Sequence, residues 1–178
     1  MKNHTAVPLW FGEIPATPLG PISIACSPAG LTQVEYGPQV ALRDRLGALP
    51  AARPVPPALD VALQELTEYF AGTRRVFTIS IDWNGFTEFQ ELVLRACAAI
   101  PYGSLLTYGQ LARQVQRPGA ARAVGMTMAH NPMPVVIPCH RVVGGAGDLH
   151  GYSAPGGLSA KAWLLELEGH HLVDQKLD

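Results

Sequence analysis

The sequence predicts an α/β protein in two parts: a small N-terminal α/β unit and a mainly helical C-terminal unit carrying a helix-turn-helix. Three observations carry this expectation. Residues 18 to 36 pattern as a β-hairpin, residues 58 to 70 carry a helical apolar stripe, and residues 89 to 129 read as successive short helices. A chain of 178 residues with 48% apolar content fits one domain or two small ones in contact, with enough apolar surface for a packed core.

Taken in order, residues 1 to 20 lack a charged start followed by an apolar block, and no run approaches the length of a membrane span. The hairpin strands fall at Ile22–Cys26 and Leu31–Tyr36 around Ser27-Pro28-Ala29-Gly30. Ala48 to Pro57 is rich in proline and alanine and reads as a loop. Ala58 to Phe70 places Leu59, Leu63, Leu66 and Phe70 on one helical face, with Gly72 as the stop. Val76 to Ile81 alternates as a strand, and a boundary is expected near Asn84-Gly85. That divides the chain into 1–85, 86–172 and a loose polar tail at 173–178.

In the second part, Phe89 to Ile100 is a helical run containing Cys97. Thr107 is a candidate N-cap for a helix from Tyr108 to Gln116, with apolar positions 108, 111, 112 and 115. Arg117-Pro118-Gly119 breaks the pattern, and a second small-residue helix follows through Ala120, Ala121, Ala123, Val124, Met126 and Met128, ending at Asn131-Pro132. Two short helices around a three-residue break suggest a helix-turn-helix, although an ordinary helical hairpin is the commoner source of such a pattern. Arg122, the only charge on the second helix, favours the nucleic-acid reading. The last helix is expected from Ser159 to Glu168, with Trp163, Leu164 and Leu167 turned inward.

The chain is near neutral, formally −1, but its charge is uneven. From Leu92 to Gly147 there are Arg95, Arg113, Arg117, Arg122 and Arg141 and no acid. Such a zone can bind a polyanion while keeping non-specific affinity modest, because few phosphates are neutralised. The three cysteines, an odd number with no secretion signal, point to a reducing compartment and a cytoplasmic location. Cys26 and Cys97 fall in a strand and a helix and read as inert. Asp44, Asp60 and Asp82 read as scattered surface acids, too far apart in pattern for a metal cluster.

The stretch richest in chemistry is Pro138-Cys139-His140-Arg141, set between the apolar runs Val135-Val136-Ile137 and Val142-Val143. A thiol is a good nucleophile as thiolate, and a neighbouring base raises that fraction. Prolines at 132, 134 and 138 stiffen the approach by fixing φ. A lone Cys-His pair is weak, since free cysteine is often simply buried; the preceding helix-turn-helix makes it informative.

Together these motifs resemble the O6-alkylguanine-DNA alkyltransferases, also called methylated-DNA–protein-cysteine methyltransferases. The resemblance spans nearly half the chain: Phe89-Gln90, Ile100-Pro101-Tyr102-Gly103, Thr107-Tyr108-Gly109, Ala120 to Gly125, Asn131-Pro132, Ile137 to Val143, Gly151-Tyr152, and Lys161 through Trp163-Leu164-Leu165 to Glu168-Gly169. Thr17-Pro18-Leu19-Gly20 and Gly30-Leu31 match more weakly. The resemblance implies a ribonuclease-H-like N-terminal fold without its catalysis, and a winged-helix-like C-terminal domain.

It also implies roles for single residues. Cys139 resembles the alkyl acceptor, His140 the general base working through a water, and Glu168 the carboxylate that orients that imidazole. Asn131 resembles the hinge before the active loop, and Tyr108 the tyrosine that crowds the target phosphate and donates a proton toward guanine. Arg122 resembles the finger that fills the space of an extruded base, with Ala121, Ala123 and Gly125 as the small residues that let the helix approach DNA. Met128, Pro134, Val142, Tyr152 and Ser153 resemble the pocket wall, although the loop Ser153-Ala154-Pro155-Gly156-Gly157 is slightly long for the family.

The implied activity is DNA repair: one irreversible transfer of an alkyl group from guanine O6, with thymine O4 as a further candidate donor, to Cys139. The implied partner is duplex DNA carrying O6-alkylguanine, entered through the minor groove by a monomer acting alone or in cooperative arrays. The implied setting is the cytoplasm, at the nucleoid of a bacterium, or the nucleus of a eukaryote. No cofactor is expected. Some members bind zinc, but only Cys26 matches that site here and a structural site needs all its ligands, so no metal is expected. Two other readings stay open. One is a module that binds alkylated DNA without accepting the group, against which Cys139 argues; the other is an alkylation-sensing regulator. A cysteine hydrolase is disfavoured, because adjacent residues of an extended segment point apart.

Overall fold

The structure, a computed structural model, describes residues 7–47, 54–173 and 176–177, and the chain divides into two compact units between Asp82 and Trp83. Most of the loop expected at 48–57 lies outside the described residues.

The first unit is a three-stranded antiparallel sheet in the order β1(Trp10–Ile14), β2(Ile22–Ser27), β3(Gly30–Tyr36), on which α1(Gln39–Leu46) and α2(Pro57–Phe70) both pack. The central strand β2 is buried along its whole length, so both of its faces are covered. The expected hairpin is present, with Pro28-Ala29 at its turn and a bulge at Ala25/Cys26. Strand β1 and helix α1 were not legible. In α1 only Leu42 is buried, so eight residues carry no apolar stripe to read.

The expected strand Val76–Ile81 does not form; Ile81 makes a single parallel bridge to Leu31. Leu31 N–H donates to Ser80 O at 2.8 Å and Asp82 N–H to Leu31 O at 2.9 Å, but the residues before them bind side chains instead. Thr78 N–H donates to Glu65 Oε2, and Arg74 Nη1 to Val76 O. The alternation was real, yet the backbone partners were a buried carboxylate and an arginine. Gly30 permits the bridge: a Cβ there would overlap the Ser80 carbonyl. Asp82, expected as a surface acid, is buried and accepts from Ser27 Oγ at 2.5 Å, whereas Asp44 and Asp60 are exposed.

The second unit contains α3(Glu88–Ala98), β4(Leu106–Thr107), α4(Tyr108–Gln114), α5(Ala121–Ala129), a 3-10 turn at Cys139–Arg141, β5(Val142–Val143) and α6(Leu158–Leu167). Helices α3 and α4 each start on a capping box, Thr87 with Gln90 and Thr107 with Gln110, which satisfies two otherwise orphaned N–H groups at each start. Helix α4 ends two residues before expected, because Gln116 turns into the left-handed region at φ 57° and reverses the chain toward α5. The inward face of α6 differs in part from expectation, with Leu164 buried as expected. Ala160, Lys161, Leu164 and Leu165 are buried, while Trp163 and Leu167 are half-buried. Lys161 can take a core position because two carbonyls receive its ammonium.

After α6 the chain does not begin as a loose tail. Leu172 packs on the cluster of Val143, Leu149 and Leu165, and β6(Leu172–Val173) pairs with β7(Lys176–Leu177). Among the described residues no helix is long and apolar enough to cross a membrane.

Candidate active site

Two short strands position the site. β4 pairs in parallel with β5, Leu106 with Val142 and Thr107 with Val143. Tyr108 therefore starts α4 immediately beyond one strand, while the Cys139 turn ends immediately before the other. The turn is closed by Arg141 N–H donating to Pro138 O at 2.9 Å and by Cys139 N–H donating to Ile137 O at 2.8 Å.

Asn131 holds the approach. Its Nδ2 donates to Ile137 O at 2.8 Å and toward Cys139 Sγ at 3.2 Å, while Oδ1 accepts from Met133 N–H at 3.0 Å. Within this span Val135 sits at φ 74°, a conformation that costs a β-branched residue of order 1–3 kcal/mol and persists only where surroundings enforce it. Here the enforcing contacts are the Asn131 bonds, the bond from Ile137 N–H to Met133 O, and full burial of Val135 itself.

Behind the thiol lies a buried polar network centred on Glu168, the residue that caps α6. Its Oε1 receives His140 Nε2 at 2.9 Å and Arg141 Nη2 at 2.8 Å; its Oε2 receives Arg141 Nε at 2.8 Å and Gly103 N–H at 3.1 Å. Burial alone would raise the Glu168 pKa, but the bonds from His140 and Arg141 outweigh it and hold the carboxyl well below its ordinary range. Glu168 is thus ionised, and an ionised carboxylate only accepts, so Nε2 of His140 carries the proton and Nδ1 is the basic nitrogen. Burial also lowers the His140 pKa, which keeps the ring neutral and able to take a proton.

Cys139 is 7% exposed, and burial raises its thiol pKa, opposed first by the Asn131 hydrogen bond and then by the Lys161 charge. At rest the sulfur is a thiol that needs a base. Lys161 Nζ donates to Val142 O at 2.7 Å and His150 O at 3.2 Å, and burial lowers its pKa to about 8. Tyr108 is shifted up, by burial first and then by Cys139 and Cys97, so it holds its proton. Burial raises Cys26 to about 12 and Cys97 well above the ordinary thiol value, which leaves both inert.

Cys139 opens into a cavity of about 650 Å³, a volume suited to a small organic ligand. Of the residues singled out in the sequence, Tyr108, Ala121, Arg122, Gly125, Met128, Cys139, Tyr152 and Ser153 line it. Pro134, Val142 and Ala123 are not among its lining residues: Val142 is fully buried in β5, and Ala123 is exposed on α5. The Ser153 hydroxyl donates to Ala129 O at 2.8 Å.

Sequence reasoning gave no role to Lys161, His150 or Gly103, and it counted Arg141 in a polyanion-binding zone, whereas Arg141 is buried on Glu168. The available signal was chemical: a cation between apolar runs, with no acid nearby in sequence, must find a distant buried carboxylate or carbonyls. Gly103 sits at φ 71° with its missing Cβ directed 3.2 Å from Glu168 O, so a side chain would crowd the network.

Known proteins resemble this chain over both of its units. Residues 88–170 match the family model for the 6-O-methylguanine DNA methyltransferase DNA-binding domain, and residues 13–83 match that for its ribonuclease-like domain. The methylated-DNA–protein-cysteine methyltransferase of Mycobacterium leprae is 43% identical over 157 residues, covering 88% of this chain and 91% of that protein. The Salmonella typhimurium enzyme is 40% identical over 89% of this chain and 95% of its own length. The crystal structure of Mycobacterium tuberculosis OGT in complex with DNA superposes with a TM-score of 0.75 at 40% identity, covering 89% of this chain and 91% of that one.

Fold and site together define a DNA-repair alkyltransferase, an enzyme whose acceptor is a protein cysteine. The chain belongs to the 6-O-methylguanine-DNA methyltransferase family, and its α/β and helical units are the two domains of that family.

Proposed function

We propose that this protein repairs duplex DNA by moving an alkyl group from O6 of guanine to Sγ of Cys139, once per molecule. O4 of thymine is a further candidate donor. The observation that carries this reading is one sulfur facing a base-sized cavity on one side and a buried Asn131–His140–Glu168 arrangement on the other. Nδ1 of His140 takes the thiol proton through a water; Glu168 holds the ring and balances the positive charge that forms, and Arg141 holds Glu168 in place. The new thiolate is stabilised by Asn131 Nδ2–H and the nearby Lys161 ammonium.

The sulfur then attacks the alkyl carbon in line: the C–S bond forms, the C–O6 bond breaks, and the electron pair leaves on the purine. Tyr108, which keeps its proton, protonates the leaving base, and His140 returns the thiol proton to the phenolate. Thiol and alkylguanine thus become thioether and guanine, with atoms and charge balanced. A thioether offers no easy reverse, and inert Cys26 and Cys97 cannot resolve it.

The target nucleotide leaves the stack for the cavity at a cost of about a few kcal/mol. Helix α5, with its small residues Ala121, Ala123 and Gly125, approaches the minor groove, where readout is degenerate and sequence matters little. Arg122 occupies the vacated space. The acting species is a monomer, and the protein works where the cell keeps its DNA.

The test is mass analysis after incubation with duplex DNA containing O6-methylguanine. The Cys139 peptide gains one methyl group, and Cys139→Ala binds the same DNA without any gain. Demethylation by Cys139→Ala would remove the assignment, and tight binding by the wild type without gain would favour a module that only binds alkylated DNA.

A further inference from the structure

The wall of the cavity carries a group that the reaction above does not use. His150 is an exposed residue lining the cavity, in the loop between β5 and α6. Its ring is held from several sides. It lies over the bare backbone of Gly144, where a Cβ would come within 2.5 Å of His150 Nε2. Gly144 is itself fixed by its N–H donating to Asp148 O at 2.9 Å and by Gly147 N–H donating back to Gly144 O at 3.2 Å. The His150 ring centroid is 6.1 Å from that of Tyr108 at an interplanar angle of 49°, and the His150 carbonyl is tied to the buried Lys161 ammonium. An exposed histidine with no task would not need a glycine beneath it and a buried lysine behind it.

Charge says what such a ring would meet. Of the residues lining the cavity, Arg122 on α5 and His150 on the loop before α6 are those able to carry positive charge, and none is acidic. Both are exposed, whereas Cys139 lies at the floor. A nucleotide turned into this cavity keeps its base inside and its phosphodiester at the opening, since burying a phosphate without a full set of partners is costly. Two exposed donors lining the cavity match that anion. A neutral imidazole still donates one N–H, so the contact does not require protonation.

We propose that His150 is a substrate-positioning residue that donates a hydrogen bond to the phosphodiester beside the extruded nucleotide. With Arg122 it supplies a donor to that anion, and so favours nucleotides held in DNA over free nucleosides. This rests on the alkyl-transfer reading given above.

The test compares rates of methyl transfer to Cys139 from duplex O6-methylguanine and from the nucleoside O6-methyl-2′-deoxyguanosine, which has no phosphate. In His150→Ala the ratio of duplex rate to nucleoside rate falls about tenfold, the size of one hydrogen bond to a charged acceptor. In His150→Gln, which keeps an N–H donor, the ratio returns to within about threefold of wild type. Thermal melting of both variants shows that they fold. Equal slowing on the two substrates would place His150 in the chemistry or the pocket floor and overturn the proposal, as would an unchanged ratio in a wild type that reacts normally. A wild type that takes no methyl from duplex DNA removes the alkyl-transfer reading itself.

Discussion

Replacing Glu168 by Gln tests the buried network most severely. In the wild type each carboxylate oxygen accepts two donors, His140 Nε2 and Arg141 Nη2 on Oε1, and Arg141 Nε and Gly103 N–H on Oε2. A glutamine keeps one oxygen and puts an NH₂ in place of the other. In either orientation that NH₂ faces two N–H groups, and the Arg141 guanidinium, 5% exposed, loses its counter-charge. Breaking a buried pair from one side costs about 3–5 kcal/mol. For a chain of this length that is roughly 6–20 °C in melting temperature, at about 2–4 °C per kcal/mol.

Two further readouts separate this cause from general damage. Combining Glu168→Gln with Arg141→Met should cost less than the sum of the two single changes, because the second removes the charge that the first strands. The pH dependence should change as well. A carboxyl held below its ordinary value of 4.5 contributes stability that is complete above that pH and is lost as pH falls beneath it; Glu168→Gln lacks that share of acid sensitivity. Methyl transfer should fall by about 10²-fold, since His140 loses the group that fixes its tautomer. A melting change under about 1 kcal/mol, or strict additivity in the double variant, would refute the network as described.

Two other substitutions probe its neighbours. Asn131→Ala frees Ile137 O, Met133 N–H and the thiol at once, and should slow transfer by about 10²-fold through misplacement of the sulfur while raising the pH at which iodoacetamide alkylates Cys139. Asn131→Asp keeps the acceptor for Met133 but repels the thiolate, so it should raise that pH further; an unshifted profile in both would remove Asn131 from thiolate stabilisation. Lys161→Met addresses the buried ammonium, whose pKa falls from 10.5 to about 8. Between those values the folded protein binds fewer protons than the unfolded chain, so the penalty is full below pH 8 and fades as pH rises to 10.5. Relative to Lys161→Met, the wild type should therefore gain about 3 kcal/mol in urea unfolding across that window, and a flat difference would argue against the shift.

Local signals made much of the fold readable. The hairpin, α2 and the helices on either side of Arg117-Pro118-Gly119 followed from periodicity, a capping threonine and a break, all of which act within a few residues. Misreadings arose where the partner lay far along the chain. Val76 to Ile81 alternated like a strand, but Glu65 and Arg74 side chains took its backbone groups. Trp163 seemed the natural inward residue of α6, yet the buried position belongs to Lys161, whose carbonyl partners on Val142 and His150 have no local signature. In the site, Cys139, His140 and Glu168 were legible through the family pattern. Arg141 read as part of a positive zone, because its bond to Glu168 spans 27 residues and leaves no local sign. The cavity wall from His150 depends on a turn closed at Gly144, which spacing alone does not reveal.

Lys161 sits on the last helix and Glu168 caps it, and the Tyr102 hydroxyl donates to Leu167 O at 2.7 Å near the end of that helix. The nucleophile is thus translated well before the residues that switch it on. A nascent chain still emerging from the ribosome, or one clipped ahead of residue 158, has Cys139 and His140 without the carboxylate that orients the imidazole. Completion of the site is therefore tied to the docking of the last helix, the element that delivers both Lys161 and Glu168.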